Sequence, residues 1–226
     1  MPDTPFIIIE RARRRTAQVR FGDSPAALQD GPKWVCHIVP AHAAQIGVDP
    51  IPSARAAQML RRLKPANVAL TDSISHAGGW LACSERDTAG RCRAYAHLGA
   101  DWTLEMVGMP GAGPWLDERD TWWPGTYELP LLEQLTSTVT PLLDRAGATP
   151  FAHLLMSLTQ VDGTAIVTES DNGTERPFRI PVGVDTLHFA PVCIGGAETL
   201  WREALVGVFD RVRNLVGLRS VRPFYL

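Results

Sequence analysis

Apolar positions along this chain recur at two different spacings, and each switch of spacing marks a new element. Over residues 6–20, Ile8, Ala12 and Val19 fall near one face at helical period, with Thr16 between them, which predicts a short helix. Arg11, Arg14 and Arg15 gather on another face, and Gly22 with Pro25 ends the element. Residues 34–39 are an apolar, β-branched run between the breaker pair Gly31-Pro32 and Pro40, which predicts a strand. Alternation puts Trp34, Cys36 and Ile38 on one face and Val35, His37 and Val39 on the other. The reactive-looking stretch KWVCHIVPAHA therefore sends Cys36 and His37 to opposite sides of a strand. They do not share a metal or form a nucleophile–base pair by themselves.

Ser53 is placed to cap a helix running through Leu63, with Ala57, Leu60 and Leu63 as its apolar stripe. Residues 66–78 read as loop. From Gly79 to Met109 the period becomes strand-like. GWLACSE, RCRAYAHL and WTLEMVGM are separated by turn chemistry at 87–90 and 99–101, which predicts an antiparallel meander. A hairpin centred on 87–88 sets Cys83 opposite Cys92 as a reduced cross-strand pair. Residues 110–126 are a Gly/Pro-rich loop carrying Trp115, Trp122 and Trp123.

A helix over 127–146 follows, with Leu132, Leu135, Val139 and Leu142 in its stripe, Pro130 in its first turn and Pro141 dividing it. Strands resume in FAHLLMSLTQ, TAIVTE and RPFRIP. Asp162-Gly163 and Asn172-Gly173 lie between them as hairpin turns, and a further strand covers 186–192. A last helix near 197–216 carries Leu200, Leu205 or Ala204, Val208, Val212 and Leu215, closed by Gly217. The sum is an α+β fold with a mostly antiparallel sheet and three to four helices packed on it. Its division is a basic N-terminal helix and linker at 1–30 and a single α+β domain at 31–226.

Composition narrows the function classes. The 226 residues are 45% hydrophobic and 20% charged, with a net charge of -2 and a pI near 6.3. No global basic field draws the chain to nucleic acid. No apolar run reaches membrane-spanning length, and residues 6–9 are too short for a signal-peptide core, so the expected compartment is the cytoplasm. Four cysteines form no CxxC pair and no zinc spacing, and no metal or cofactor is expected.

There is no GxxxxGK[ST], no GxSxG and no HExxH, and no catalytic residue can be named. Ser157 falls mid-strand. His37, His97, His153 and His188 fall singly on predicted strands, where a hydrogen-bonded structural role is the expectation. Asp117, Glu118 and Asp120 read as an exposed acidic loop. Two sets of side chains have binding potential. Arg11, Arg13, Arg14 and Arg15 form a basic set suited to phosphates. Trp115, Trp122 and Trp123 are suited to stacking or to lining a pocket.

The order of several segments is also informative. An arginine-containing helix leads into GDSPAALQDGPKWVCHIVPAHA, and the meander ends in HLGADWTLEMV. A long helix then precedes LLMSLTQVDGTAIV, IPVGVDTLHFAPVCI and LVGVFDRVRNLVGLRS. In this order, over residues 6–220, the chain resembles the C-terminal region of bacterial proteins that carry an N-terminal Schlafen/AlbA-type DNA-binding domain. The glycine-containing segment expected of that domain is absent, since SHAGGWLAC shares only its two glycines.

The resemblance implies either a domain cut from a longer protein or a free-standing relative. It implies a non-enzymatic accessory or sensing domain that works beside a nucleic-acid-binding or defence-related partner. Two other functions follow from the residues: a nucleic-acid-binding module using the N-terminal arginines, and a small-ligand binder or enzyme with a pocket at the Trp-rich loop and the strand histidines. A homodimer is a further expectation, because an antiparallel meander leaves edge strands to cover.

Overall fold

The computed structural model describes residues 5–41, 54–76, 79–111, 121–145, 151–169 and 175–218. In chain order these form α1 (Pro5–Arg20), β1 (Lys33–Pro40), α2 (Ala54–Leu60), β2 (Asp72–His76), β3 (Gly79–Cys83), β4 (Ala94–Leu98) and β5 (Leu104–Gly108). Then come β6 (Thr121–Trp122), α3 (Gly125–Gln134), α4 (Thr140–Arg145), β7 (Ala152–Thr159), β8 (Ala165–Glu169), β9 (Glu175–Arg179), β10 (Thr186–His188), β11 (Val192–Ile194) and α5 (Glu198–Leu215). The eight-stranded sheet has the order β10-β7-β1-β5-β4-β3-β2, with β11 also on β7, and its pairings are antiparallel. A small mixed sheet, β6-β8-β9, stands apart. This is the expected α+β class, and α3 and α4 are joined end to end through residues 135–139.

Strand alternation divides the large sheet into two unlike faces. On one, Trp34, Cys36 and Ile38 of β1 join Leu104 and Met106 of β5, Ala96 of β4 and Met156 of β7. Together with Leu60, Leu135 and Phe209 from the helices they make the main core. The other face is covered by α1. Val19 packs with Val35, Tyr95 and Val107, while Ile8 and Ala12 meet Leu155. A fully buried Ile or Val contributes about 1.5–3 kcal/mol, and Ala12 less. Three small anchors thus hold α1 only modestly, and its polar ties matter to its placement.

Several elements depart from expectation for identifiable reasons. The stretch 66–78 is not all loop: it contains β2, whose burial is slight along its whole length. Its sequence, DSISH, has one apolar side chain, and Ile74 is exposed at the sheet edge, so no alternation marks it. The helix expected through Leu63 stops at Leu60, and its cap Ser53 lies outside the described residues. Pro130 sits inside α3, five residues beyond its start at Gly125, and not in its first turn.

The long helix is interrupted by a π turn at Leu135–Val139, where the Thr140 N–H bonds the Leu135 carbonyl. This wide turn shifts the hydrogen-bond ladder, so Pro141 falls in the first turn of α4, where its missing N–H costs little.

Asp162-Gly163 is a turn but not a hairpin. Gln160, at φ +59°, and Gly163, at φ +72°, carry the chain from β7 in the large sheet to β8 in the small one. The partner of β8 is β9, and Asn172-Gly173 between them lies outside the described residues. The strand expected over 186–192 splits into β10 and β11, with Pro191 at the break. The buried stripe of α5 runs through Trp201, Leu205, Phe209 and Val212, and Leu200 is exposed. Gly217, at φ +78°, closes that helix as expected: its N–H reaches the Asn214 carbonyl, and the Leu218 N–H reaches Arg213.

The register of β3 and β4 sets Cys83 opposite Tyr95, not Cys92. Cys92 lies before β4, bridging Arg86 and Leu28. The two buried thiols still meet through a hydrogen bond.

Candidate functional site

The α1-covered face carries an unusual row of polar side chains. Register places His97 of β4 directly opposite Glu105 of β5, and Glu105 directly opposite His37 of β1. Tyr95 shares the face, two residues before His97. From above, α1 contributes Arg15. The carboxylate of Glu105 is the hub. Its Oε1 accepts from the Tyr95 hydroxyl at 2.6 Å and from Arg15 Nη2 at 3.1 Å. Its Oε2 accepts from Arg15 Nε at 2.7 Å and from His37 Nε2 at 3.0 Å. An ionised carboxylate offers about four lone-pair sites, and here four donors fill them.

Burial pushes the Glu105 carboxyl up. The hydrogen bonds from His37 and Arg15 more than offset this and hold it at about 2. Burial drives Tyr95 in the opposite sense from an ionisable phenol at neutral pH: its pKa is well above the ordinary value, so it stays a donor. With Glu105 ionised, His37 Nε2 is the donor of the bond between them.

A cavity of about 480 Å³ opens beside this hub, between α1 and strands β1, β4 and β5. Ile8, Ala12 and Val39 supply apolar wall; Arg11, Arg14, Arg15 and Gln18 line it from the helix; His37, His97, Thr103 and Glu105 line it from the sheet. The rim is the turn at 99–103. The Gly99 N–H bonds the Thr103 carbonyl, the Trp102 N–H bonds the Gly99 carbonyl, and the Thr103 N–H bonds Asp101 Oδ1. Asp101 Oδ2 then faces Arg11 at 3.3 Å.

Two atoms in the wall lack a hydrogen bond among the described residues: His97 Nε2 and Thr103 Oγ1. Burial lowers the pKa of His97, which keeps the ring neutral, and the ring bonds the backbone of His76. Its Nε2 is thus an unmet acceptor. An unmet buried polar atom costs about 1–3 kcal/mol.

The arginines expected to act together have separate positions. Arg15 is half-buried in the hub, Arg11 pairs with Asp101, and Arg13 pairs with Glu10 on the helix surface. Arg14 is exposed at the cleft and makes no ion pair among the described residues. The tryptophans are elsewhere. Trp115 lies outside the described residues, as do His42, Asp117, Glu118 and Asp120. Trp122 is fully buried, donates from Nε1 to Thr164 Oγ1 at 3.0 Å and sits in an aromatic cluster with Tyr127. It presents no face to a ligand. Trp123 is partly exposed and lies across Gly125, where an added Cβ would come within 2.6 Å of the indole.

Sequence reasoning did not reach Glu105 or Tyr95. The available signal was parity: His37, Tyr95, His97 and Glu105 all occupy positions whose immediate neighbours on both sides are apolar and face the main core. A second pair also escaped it. Ser157 Oγ lies 2.8 Å from His188 Nδ1, beneath Thr16, but Ser157 is buried and does not line the cleft. Among the described residues, no group of three His, Cys, Asp or Glu side chains is placed to hold a metal ion. No helix there is long and apolar enough to cross a membrane.

No protein-family model, curated protein or solved structure matches this chain.

Proposed function

We propose that this chain is a non-enzymatic sensing domain whose ligand site is the cleft beneath α1. The saturated hub at Glu105 is the observation that carries this. With all four lone-pair sites engaged, the carboxylate is an anchor and not a base. It fixes the His37 ring, the Tyr95 hydroxyl and the Arg15 fork around a cavity of ligand-binding size. The same bonds tie α1 to the sheet, so occupancy of the cleft bears directly on the helix. The resemblance noted above supplies the context in which such a state is read out: a nucleic-acid-binding or defence-related partner of the Schlafen/AlbA type.

A thermal-shift screen of small metabolites tests the site. Hits are expected to raise the melting temperature of the native chain and to lose that effect in Ala100→Trp, which fills the rim from an exposed position. Hits that act equally on the variant, or an absence of hits, contradict it.

A second reading is direct nucleic-acid binding by α1, favoured by the exposed Arg11, Arg13 and Arg14. Among the described residues, Arg11 and Arg13 are engaged by surface ion pairs, and such pairs contribute little. Steeply salt-dependent binding of duplex DNA or RNA, lost in an Arg11/Arg13/Arg14→Ala variant, supports it. No binding at low salt excludes it.

A further inference from the structure

If the cleft is a ligand site, its charges and its unmet acceptor specify the ligand. Among the described residues, five charged side chains line it: Arg11, Arg14, Arg15, Asp101 and Glu105. Arg15 is neutralised by Glu105 at 2.7 Å and Arg11 by Asp101 at 3.3 Å. Arg14 is left as one positive charge without compensation among the described residues. The sheet wall meanwhile holds His97 Nε2, a neutral-ring acceptor without a donor. The remaining wall, Ile8, Ala12 and Val39, is apolar.

We infer that the cleft takes a small organic monoanion, a carboxylate that also carries a hydroxyl or N–H donor and an apolar body. The carboxylate pairs with Arg14, the donor meets His97 Nε2, and the apolar part lies against Ile8, Ala12 and Val39. A guanidinium matches a carboxylate in a two-pronged geometry. A single uncompensated cation balances one negative charge, which favours a carboxylate over a phosphate monoester dianion.

The test uses three matched probes on the full chain, followed by NMR of the His37 and His97 ring nitrogens. Mandelate has the anion and the hydroxyl, phenylacetate lacks the hydroxyl, and mandelamide lacks the charge. Mandelate is expected to shift the His97 Nε2 resonance. Phenylacetate and mandelamide are each expected to bind about tenfold more weakly, and Arg14→Gln is expected to weaken mandelate by about the same factor. Arg14 is exposed, so the variant is expected to fold as the native chain does. Equal binding of mandelamide and mandelate, or an Arg14→Gln variant that binds mandelate normally, overturns the monoanion while the ring shifts still mark the cleft as a ligand site. Tighter binding of inorganic phosphate than of mandelate through Arg14 overturns the carboxylate. Absence of any ring shift with all three probes overturns the ligand site itself, and the monoanion with it.

Discussion

Glu105 is a residue whose neighbours define it. The side chain is nearly inaccessible, yet it stays ionised because Arg15, His37 and Tyr95 replace the water it has lost. Removing it leaves a half-buried guanidinium without a counter-ion. Glu105→Ala is therefore expected to lower stability by about 3–5 kcal/mol in urea unfolding, the range for a broken buried pair. A loss below 1 kcal/mol would mean the hub is dispensable.

The cysteines give a second residue-scale expectation. Cys36, Cys83 and Cys92 are buried and Cys193 is exposed. Hydrogen bonding from Cys83 holds the Cys92 thiol at about 7, but its burial denies access to reagent. Iodoacetamide is expected to label one cysteine, Cys193, in the folded chain, and mass spectrometry of the digest reads the site.

At the scale of elements, polar ties decide where helices sit. Arg20 Nε pairs with Asp185 Oδ2 at 2.5 Å, adding a further link between α1 and the sheet side of the molecule. On the opposite face, Arg213 of α5 holds Glu128 of α3 through two bonds of 2.8 and 2.7 Å, both side chains buried in the helix layer. Glu128→Ala is expected to cost about 3–5 kcal/mol for the same reason as Glu105→Ala. With the two sites on opposite faces of the large sheet, the double variant should be additive to within about 0.5 kcal/mol. Strong coupling would show that the two faces form one network.

Sequence patterns succeeded for elements that bury a face, such as α1, β1, the meander and α5. They failed where burial leaves no mark, as in β2, or where a turn serves a change of sheet, as at Asp162-Gly163. The cleft was legible only in pieces. Alternation assigned His37 to a face, but the register that sets it beside Glu105 and His97 joins residues nearly 70 positions apart. No local spacing encodes that.

At the scale of the whole molecule, the hub sets the response to acid. The Glu105 pKa is depressed from 4.5 to about 2, so its contribution is complete above the unfolded value and is lost as pH falls through the folded one. The difference corresponds to about 3 kcal/mol lost between roughly pH 4.5 and 2. His97 acts in the same sense and earlier. Burial lowers its pKa, so the unfolded chain takes up that proton first and stability begins to decline below about pH 6.5. Urea midpoints measured from pH 7 to 3 are expected to fall throughout, and Glu105→Gln should flatten the lower part of that curve. A native chain as stable at pH 3 as at pH 7 would contradict this.

The central claim is that the cleft and α1 report on each other. Amide hydrogen exchange, with and without a saturating hit from the thermal-shift screen, tests it most directly. Occupancy is expected to slow exchange across residues 8–18 and at the rim turn 99–103, with α5 unchanged. Bound ligand with unaltered exchange in α1 would contradict the account.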